Sequence, residues 1–220
     1  MRNANPLLRW LRKNTDGLGV WLRRLRGPCV LTVVSDSAFK AQDYEGLVMR
    51  GFVVILREQG DLMTGSSCAC HLLDWSSRKH GHVVRSTYAA ELHSLLDALN
   101  QAFIIAYSLT ELMWGPQPAL ALVELFRTGS LAVSVEGCLD ARSVYDSVTA
   151  EAVRTPADRH LLVHALAVRE YLENGALTTL TWLDTLDTLP DGLTKGAVEP
   201  HGTQDARQSG RVASDWSTAS

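Results

Sequence analysis

The stretch Cys68-Ala-Cys-His-Leu-Leu-Asp-Trp75 leads through Ser-Ser-Arg-Lys-His80 into Val84-Arg-Ser-Thr-Tyr-Ala-Ala-Glu91, and its hydrophobic period changes on the way. Cys68 to Trp75 follows the turn signal Gly65-Ser66-Ser67 and reads as a strand. From about Thr87 the apolar residues Leu92, Leu95, Leu96, Leu99, Ala102 and Phe103 recur at helical spacing, without Gly or Pro as far as Met113. Gly115-Pro116 ends the pattern. A strand that feeds a long helix sets the frame for both flanks.

Upstream, Leu31-Thr-Val-Val-Ser35 and Gly51-Phe-Val-Val-Ile-Leu56 are short, β-branched runs and read as strands. Gly60-Asp61 and Gly65-Ser66-Ser67 punctuate the way to the third strand, so an antiparallel meander is expected. Downstream, Leu131–Val135 reads as a fourth strand, with a short helix from about Ala141. A helix from Pro156 to Glu173 follows, stopped by Asn174-Gly175, then a fifth strand over Leu177–Leu183 and a short helix opened by Pro190. The expected fold is α/β, a mixed five-stranded sheet built from a three-strand meander plus two further strands, with helices on its faces.

The charge is unevenly spread. Seven of the 21 basic residues, but only one of the 24 acids, lie in the first 27 residues. Residues 1–28 therefore read as a basic amphipathic arm, 29–196 as the folded domain and 197–220 as a disordered Gly/Ser/Thr/Gln-rich tail. The length of 220 residues fits one domain with extensions. No run of 18 apolar residues occurs, so no spanning helix is expected. Four cysteines with no CxxC pair exclude a zinc ribbon and a disulfide scaffold and fit an intracellular setting, cytoplasmic or nuclear.

Four carboxylates stand at element ends: Asp36 after the first strand, Glu91 early in the long helix, Asp140 after the fourth strand and Asp191 at the last helix. An Asp at a strand end or helix cap is individually commonplace. An ordered set of four on such elements is not. Hard divalent cations prefer carboxylate oxygens, and two of them about 3.5–4 Å apart suit phosphodiester hydrolysis.

Three motifs in order carry a family resemblance. Leu73-Asp-Trp-Ser-Ser-Arg-Lys-His80 with Val83-Val-Arg-Ser-Thr-Tyr-Ala-Ala-Glu91 is the strongest. Asp158-Arg-His160 with Val168-Arg-Glu-Tyr-Leu-Glu-Asn-Gly175, and Leu189-Pro-Asp-Gly-Leu-Thr-Lys195, are the others. Together they resemble the ribonuclease H domain of copia-type LTR retrotransposon Pol polyproteins, over roughly residues 5 to 197. The resemblance implies a ribonuclease H-like fold. It also implies an endonuclease that hydrolyses the RNA strand of RNA·DNA hybrids with two Mg²⁺ or Mn²⁺ ions. Asp36, Glu91, Asp140 and Asp191 would be the catalytic and metal-binding residues, with Asp36 bridging both ions. It further implies a fragment of a larger polyprotein whose reverse transcriptase domain is a partner.

This chain departs from the family at the third acid, where Glu136-Gly-Cys-Leu-Asp140 replaces Asp directly after the strand, so Glu136 rivals Asp140. It also lacks the family's His ahead of the last Asp. A catalytically inactive remnant that binds nucleic acid or a protein partner is the alternative reading, and another metal-dependent nuclease or integrase a third. Arg78, Lys79, Arg85 and Ser86 are candidate nucleic-acid contacts, the basic ones equally readable as solvated loop charges. His80 with His82 lacks a third metal partner, and His160 with His164 reads as surface or packing. Trp75 and Trp182 alternate with apolar neighbours and read as core.

Overall fold

In the computed structural model, residues 22, 24–38, 48–60, 68–81, 84–151, 158–183 and 211–212 are described. Strands β1 (Cys29–Ala38), β2 (Met49–Glu58) and β3 (Cys68–Lys79) form the expected antiparallel meander. Helix α1 (Thr87–Trp114) follows, then α2 (Ala119–Arg127), β4 (Ser134–Leu139), α3 (Arg142–Thr149), α4 (Leu161–Glu173) and β5 (Leu177–Trp182). β4 pairs parallel to β1 and β5 parallel to β4, so the mixed five-stranded sheet runs β3-β2-β1-β4-β5. This is the mixed five-stranded arrangement expected, with helices on its faces. A two-residue strand, β6 (Arg211–Val212), adds to β3 beyond it.

α1 has no helix breaker over 28 residues and lays a stripe of small and branched side chains on the sheet. Leu92, Leu95, Ala98, Leu99 and Ala102 meet Leu31, Val33 and Val135 there in one core, which Val144, Leu161 and Val168 extend into α3 and α4. Fully burying each Leu or Val contributes about 1.5–3 kcal/mol. At the far end, Gly129 at φ +61° approaches the Gly175 backbone, where an added Cβ would stand 2.6 Å from its carbonyl. Only glycine fits that crossing.

Three sequence expectations change. The fourth strand is not Leu131–Val135 but Ser134–Leu139, because that is the stretch that pairs with Val30–Ser35 of β1, its Val135, Gly137 and Leu139 buried at every second position. Asp140 consequently follows the strand at once. α2 has no counterpart in the sequence reading. Its run Ala119-Leu-Ala-Leu-Val-Glu-Leu-Phe-Arg lies between proline and glycine punctuation and buries no residue. Trp75 is not core but 57% exposed. It pairs with Val53, which belongs to a small cluster with Ile55 and Cys70 separate from the main core.

Helix α4 begins at Leu161, and Pro156 lies outside the described residues. So do the helix expected from Pro190, most of the N-terminal arm, and the tail apart from Arg211–Val212. Among the described residues no helix is long and apolar enough to cross a membrane.

Candidate metal centre

The carboxyl ends of parallel strands are where open α/β sheets place ligands. Here the register pairs Ser35 of β1 with Leu139 of β4, so Asp36, inside β1 and not after it as expected, comes beside Asp140 just past the end of β4. Opposite Asp36 on β2 stands Gly51, which presents no side chain. Glu91 arrives from the second turn of α1. One carboxylate oxygen each from Asp36, Glu91 and Asp140 lie within 4.8 Å of one another. Asp36 is 1% exposed and Glu91 6%, and Asp140 is half-buried. These three, expected from the sequence as ligands, are brought together. Asp191, the fourth, lies outside the described residues.

Local chemistry explains the convergence. Ser86 caps α1, its hydroxyl accepting from the Ala89 amide at 3.1 Å. That cap fixes where the helix begins and hence where its fifth residue, Glu91, points. One turn on, the buried Ser94 hydroxyl donates to the Asp36 carbonyl at 2.8 Å and approaches the Gly51 carbonyl at 3.3 Å. It ties the helix carrying Glu91 to the strand carrying Asp36. On the other side the Trp182 indole donates to the Asp140 carbonyl at 2.9 Å, and the Leu183 amide to the Leu139 carbonyl at 2.9 Å. Arg142 lies over the Trp182 ring, 5.3 Å from its centre. Trp182 thus holds the exit of β4 and is half-buried.

Glu136 is otherwise engaged. It forms an ion pair with Arg57, and Arg57 also donates to Thr32 Oγ1 at 2.8 Å. Glu136 sits level with Thr32, four residues before Asp36 on β1, or ~13 Å along the strand. Among the described residues only Asp36, Glu91 and Asp140 form a cluster of converging ligand atoms. The donor set is all oxygen, negative and confined, which suits a hard divalent cation. Like charges held this close repel one another, and a cation relieves that repulsion.

The other candidates are more dispersed. Arg78 and Lys79 are exposed at the end of β3, and Arg85 is exposed just before α1. Cys138 is a buried packing residue, its thiol pushed up to about 12 by burial and then by the Glu136 charge. Sequence reasoning missed Ser94 and the anchoring role of Trp182. Ser94 carried a signal, a lone hydroxyl three residues after Glu91 on an otherwise apolar helix face. Trp182 carried none.

No protein-family model and no curated protein matches this chain. Among solved structures it is similar to the N-terminal RNase H domain of a Mycobacterium tuberculosis protein, fused to maltose-binding protein (15% identity, 76% of this chain and 91% of that one, TM-score 0.45). It is similar also to LC11-RNase H1 in complex with an RNA/DNA hybrid (14% identity, 76% and 96%, TM-score 0.46). RNase H1 from the halophilic archaeon Halobacterium salinarum is a third (14% identity, 76% and 92%, TM-score 0.41).

Proposed function

We propose that the chain is a metal-dependent nuclease of the ribonuclease H type, of copia-type retrotransposon origin, that hydrolyses the RNA strand of RNA·DNA hybrids. The observation that carries the reading is the meeting of Asp36, Glu91 and Asp140 from three separate elements. Nothing in the packing of a sheet requires three carboxylates at one point. A divalent ion bound there would activate water and neutralise charge on the phosphate being cleaved.

The chain's own residues would do the rest. Asp36, Glu91 and Asp140 supply oxygen ligands from a rigid strand pair and a capped helix. Asp191 is the proposed fourth ligand, completing a site for two Mg²⁺ or Mn²⁺ ions. Arg78, Lys79 and Arg85 are proposed to meet backbone phosphates, which position a duplex without reading its sequence. Ser86, already the α1 cap, would contribute beside them. The RNA strand is told from DNA by its 2′-hydroxyls across the minor groove. The reading carries with it an intracellular setting and a reverse transcriptase domain of the parent polyprotein as partner. Against the alternative, an inactive remnant that binds nucleic acid or a partner, stand Asp140 directly after its strand and Glu136 held by Arg57.

The test compares end-labelled RNA·DNA hybrid, duplex DNA, duplex RNA and single strands, each with Mg²⁺, with Mn²⁺ and with chelator. Cleavage of the hybrid's RNA strand alone, dependent on the cation, is expected. Cleavage of duplex DNA at equal rate, or none of any substrate by the folded protein, would overturn the proposal.

A further inference from the structure

A second group of potential ligands lies on a different side of α1. His80 follows β3, its amide donating to the Val48 carbonyl at 2.8 Å, and is 3% exposed. His93 is two residues after Glu91, some 200° further around the helix. His164 comes from α4. The ring centres of His80 and His93 are 6.0 Å apart, and those of His93 and His164 4.8 Å. All three line a cleft of about 340 Å³ between α1 and α4, together with Arg50, Asp97 and Tyr171.

From these observations we infer a binding site for a borderline-soft divalent transition metal of the Zn²⁺ class, with His80, His93 and His164 as ligands. Imidazoles bound to one tetrahedral ion, with Zn–N of about 2.0–2.1 Å, have ring centres ~5 Å apart. The two measured separations bracket that value. Side-chain rotation has to turn the nitrogens inward, because only the carboxylate cluster already converges among the described residues.

Two further features fit a metal better than ordinary ring packing. His164 Nδ1 lies 3.3 Å from the His160 carbonyl oxygen. As the donor there, it leaves the Nε2 lone pair for a ligand, and ligating histidines are commonly oriented by such a bond. Asp97 lies one turn after His93 on the same face of α1 and lines the same cleft. Asp97 pairs with Arg50, which offsets the strong cation that lines the cleft. Three imidazoles are also the wrong donors for Mg²⁺, which wants oxygen. The two sites would therefore sort their cations by chemistry. Occupancy here would fasten α4 to α1 and the end of β3.

The experiment uses the full chain carrying Asp36→Asn and Asp140→Asn, so that the carboxylate site is disabled. After chelator treatment and dialysis, Zn²⁺ is titrated calorimetrically in millimolar-scale Mg²⁺, and Co²⁺ binding is followed by its visible ligand-field spectrum. One Zn²⁺ per chain and a tetrahedral Co²⁺ spectrum are expected. His93→Ala and His164→Gln should each weaken binding by at least about tenfold, with circular dichroism confirming the fold. His160→Ala, which keeps the carbonyl that His164 meets, should bind as the parent does. Absence of Zn²⁺ binding in this background, competition by Mg²⁺, or unchanged affinity in both histidine variants would overturn the proposal. Should His93→Ala fail to fold, the half-buried His164→Gln decides alone.

Discussion

β1 and β4 carry two polar groups ~13 Å apart, and they are built on opposite principles. Around Thr32, Arg57 and Glu136 join three strands through an ion pair of opposite charges and a shared hydroxyl. At Asp36, the same two strands and α1 bring three charges of one sign together. The first group balances itself and its role is to hold the sheet. The second gathers like groups, an arrangement that a cation would favour. Glu136 and Asp140, four residues apart at one strand, thus differ by their surroundings: one pairs with Arg57, the other joins Asp36 and Glu91.

The sharpest break in this contrast concerns cleavage. Asp36→Asn, Glu91→Gln and Asp140→Asn should each lower hybrid cleavage at least about a thousandfold, equivalent to about 4 kcal/mol of barrier. Glu136→Gln should retain activity per folded molecule. Rates measured beside circular dichroism spectra check this, and equal losses at Glu136 and Asp140 would erase the distinction.

The reverse pattern is expected for stability. Arg57→Ala leaves Glu136 without its partner in a site where its side chain is only 19% exposed. A broken buried pair costs about 3–5 kcal/mol, and the residual exposure places this one near the lower figure. Urea unfolding measures it. The double variant Arg57→Met with Glu136→Leu should recover most of the loss, because it removes both charges at once.

A smaller effect separates the two groups by their response to cations. Mg²⁺ or Mn²⁺ at about a hundred times its Kd should stabilise the parent by about 2.7 kcal/mol. The Asp36→Asn, Asp140→Asn variant should show no rise in Tm, while the Arg57→Met, Glu136→Leu variant should keep the whole of it.

Most of this arrangement was legible in the chain itself. Period-2 runs with turn punctuation marked the meander, and the uninterrupted stripe from Leu92 to Phe103 marked α1. The three described acids stand at or near the ends of elements that the sequence pattern marks. What escaped had physical reasons. Val133 belongs to the core, so apolar character begins before β4 does and pulled the strand toward Leu131. Trp75 has the size of a core residue, yet the sheet face it occupies is not packed by the main core. The pairing of Glu136 with Arg57 joins residues 79 apart in the chain, and no local pattern encodes such a contact. The pair His80 and His82 shows no third metal partner in the sequence for the same reason, since His93 meets His80 only through the packing of α1.

Ser94 gives the finest test, because it belongs to neither charged group and links the acidic one to the core. Ser94→Ala removes a donor shared between the Asp36 and Gly51 carbonyls in a fully buried position. Losing that bond costs about 0.5–1.5 kcal/mol. A merely structural role would stop there, and the folded enzyme would turn over normally. If the bond instead holds Asp36 and Glu91 in register, kcat should fall by roughly tenfold with KM little changed, a barrier change of about 1.4 kcal/mol. The Mg²⁺ concentration for half-maximal activity should rise alongside it. Ser94→Cys, which keeps a weak donor at similar volume, should fall between the two. Unaltered kcat and cation requirement in stably folded Ser94→Ala would mean that the strand and helix termini alone position the carboxylates.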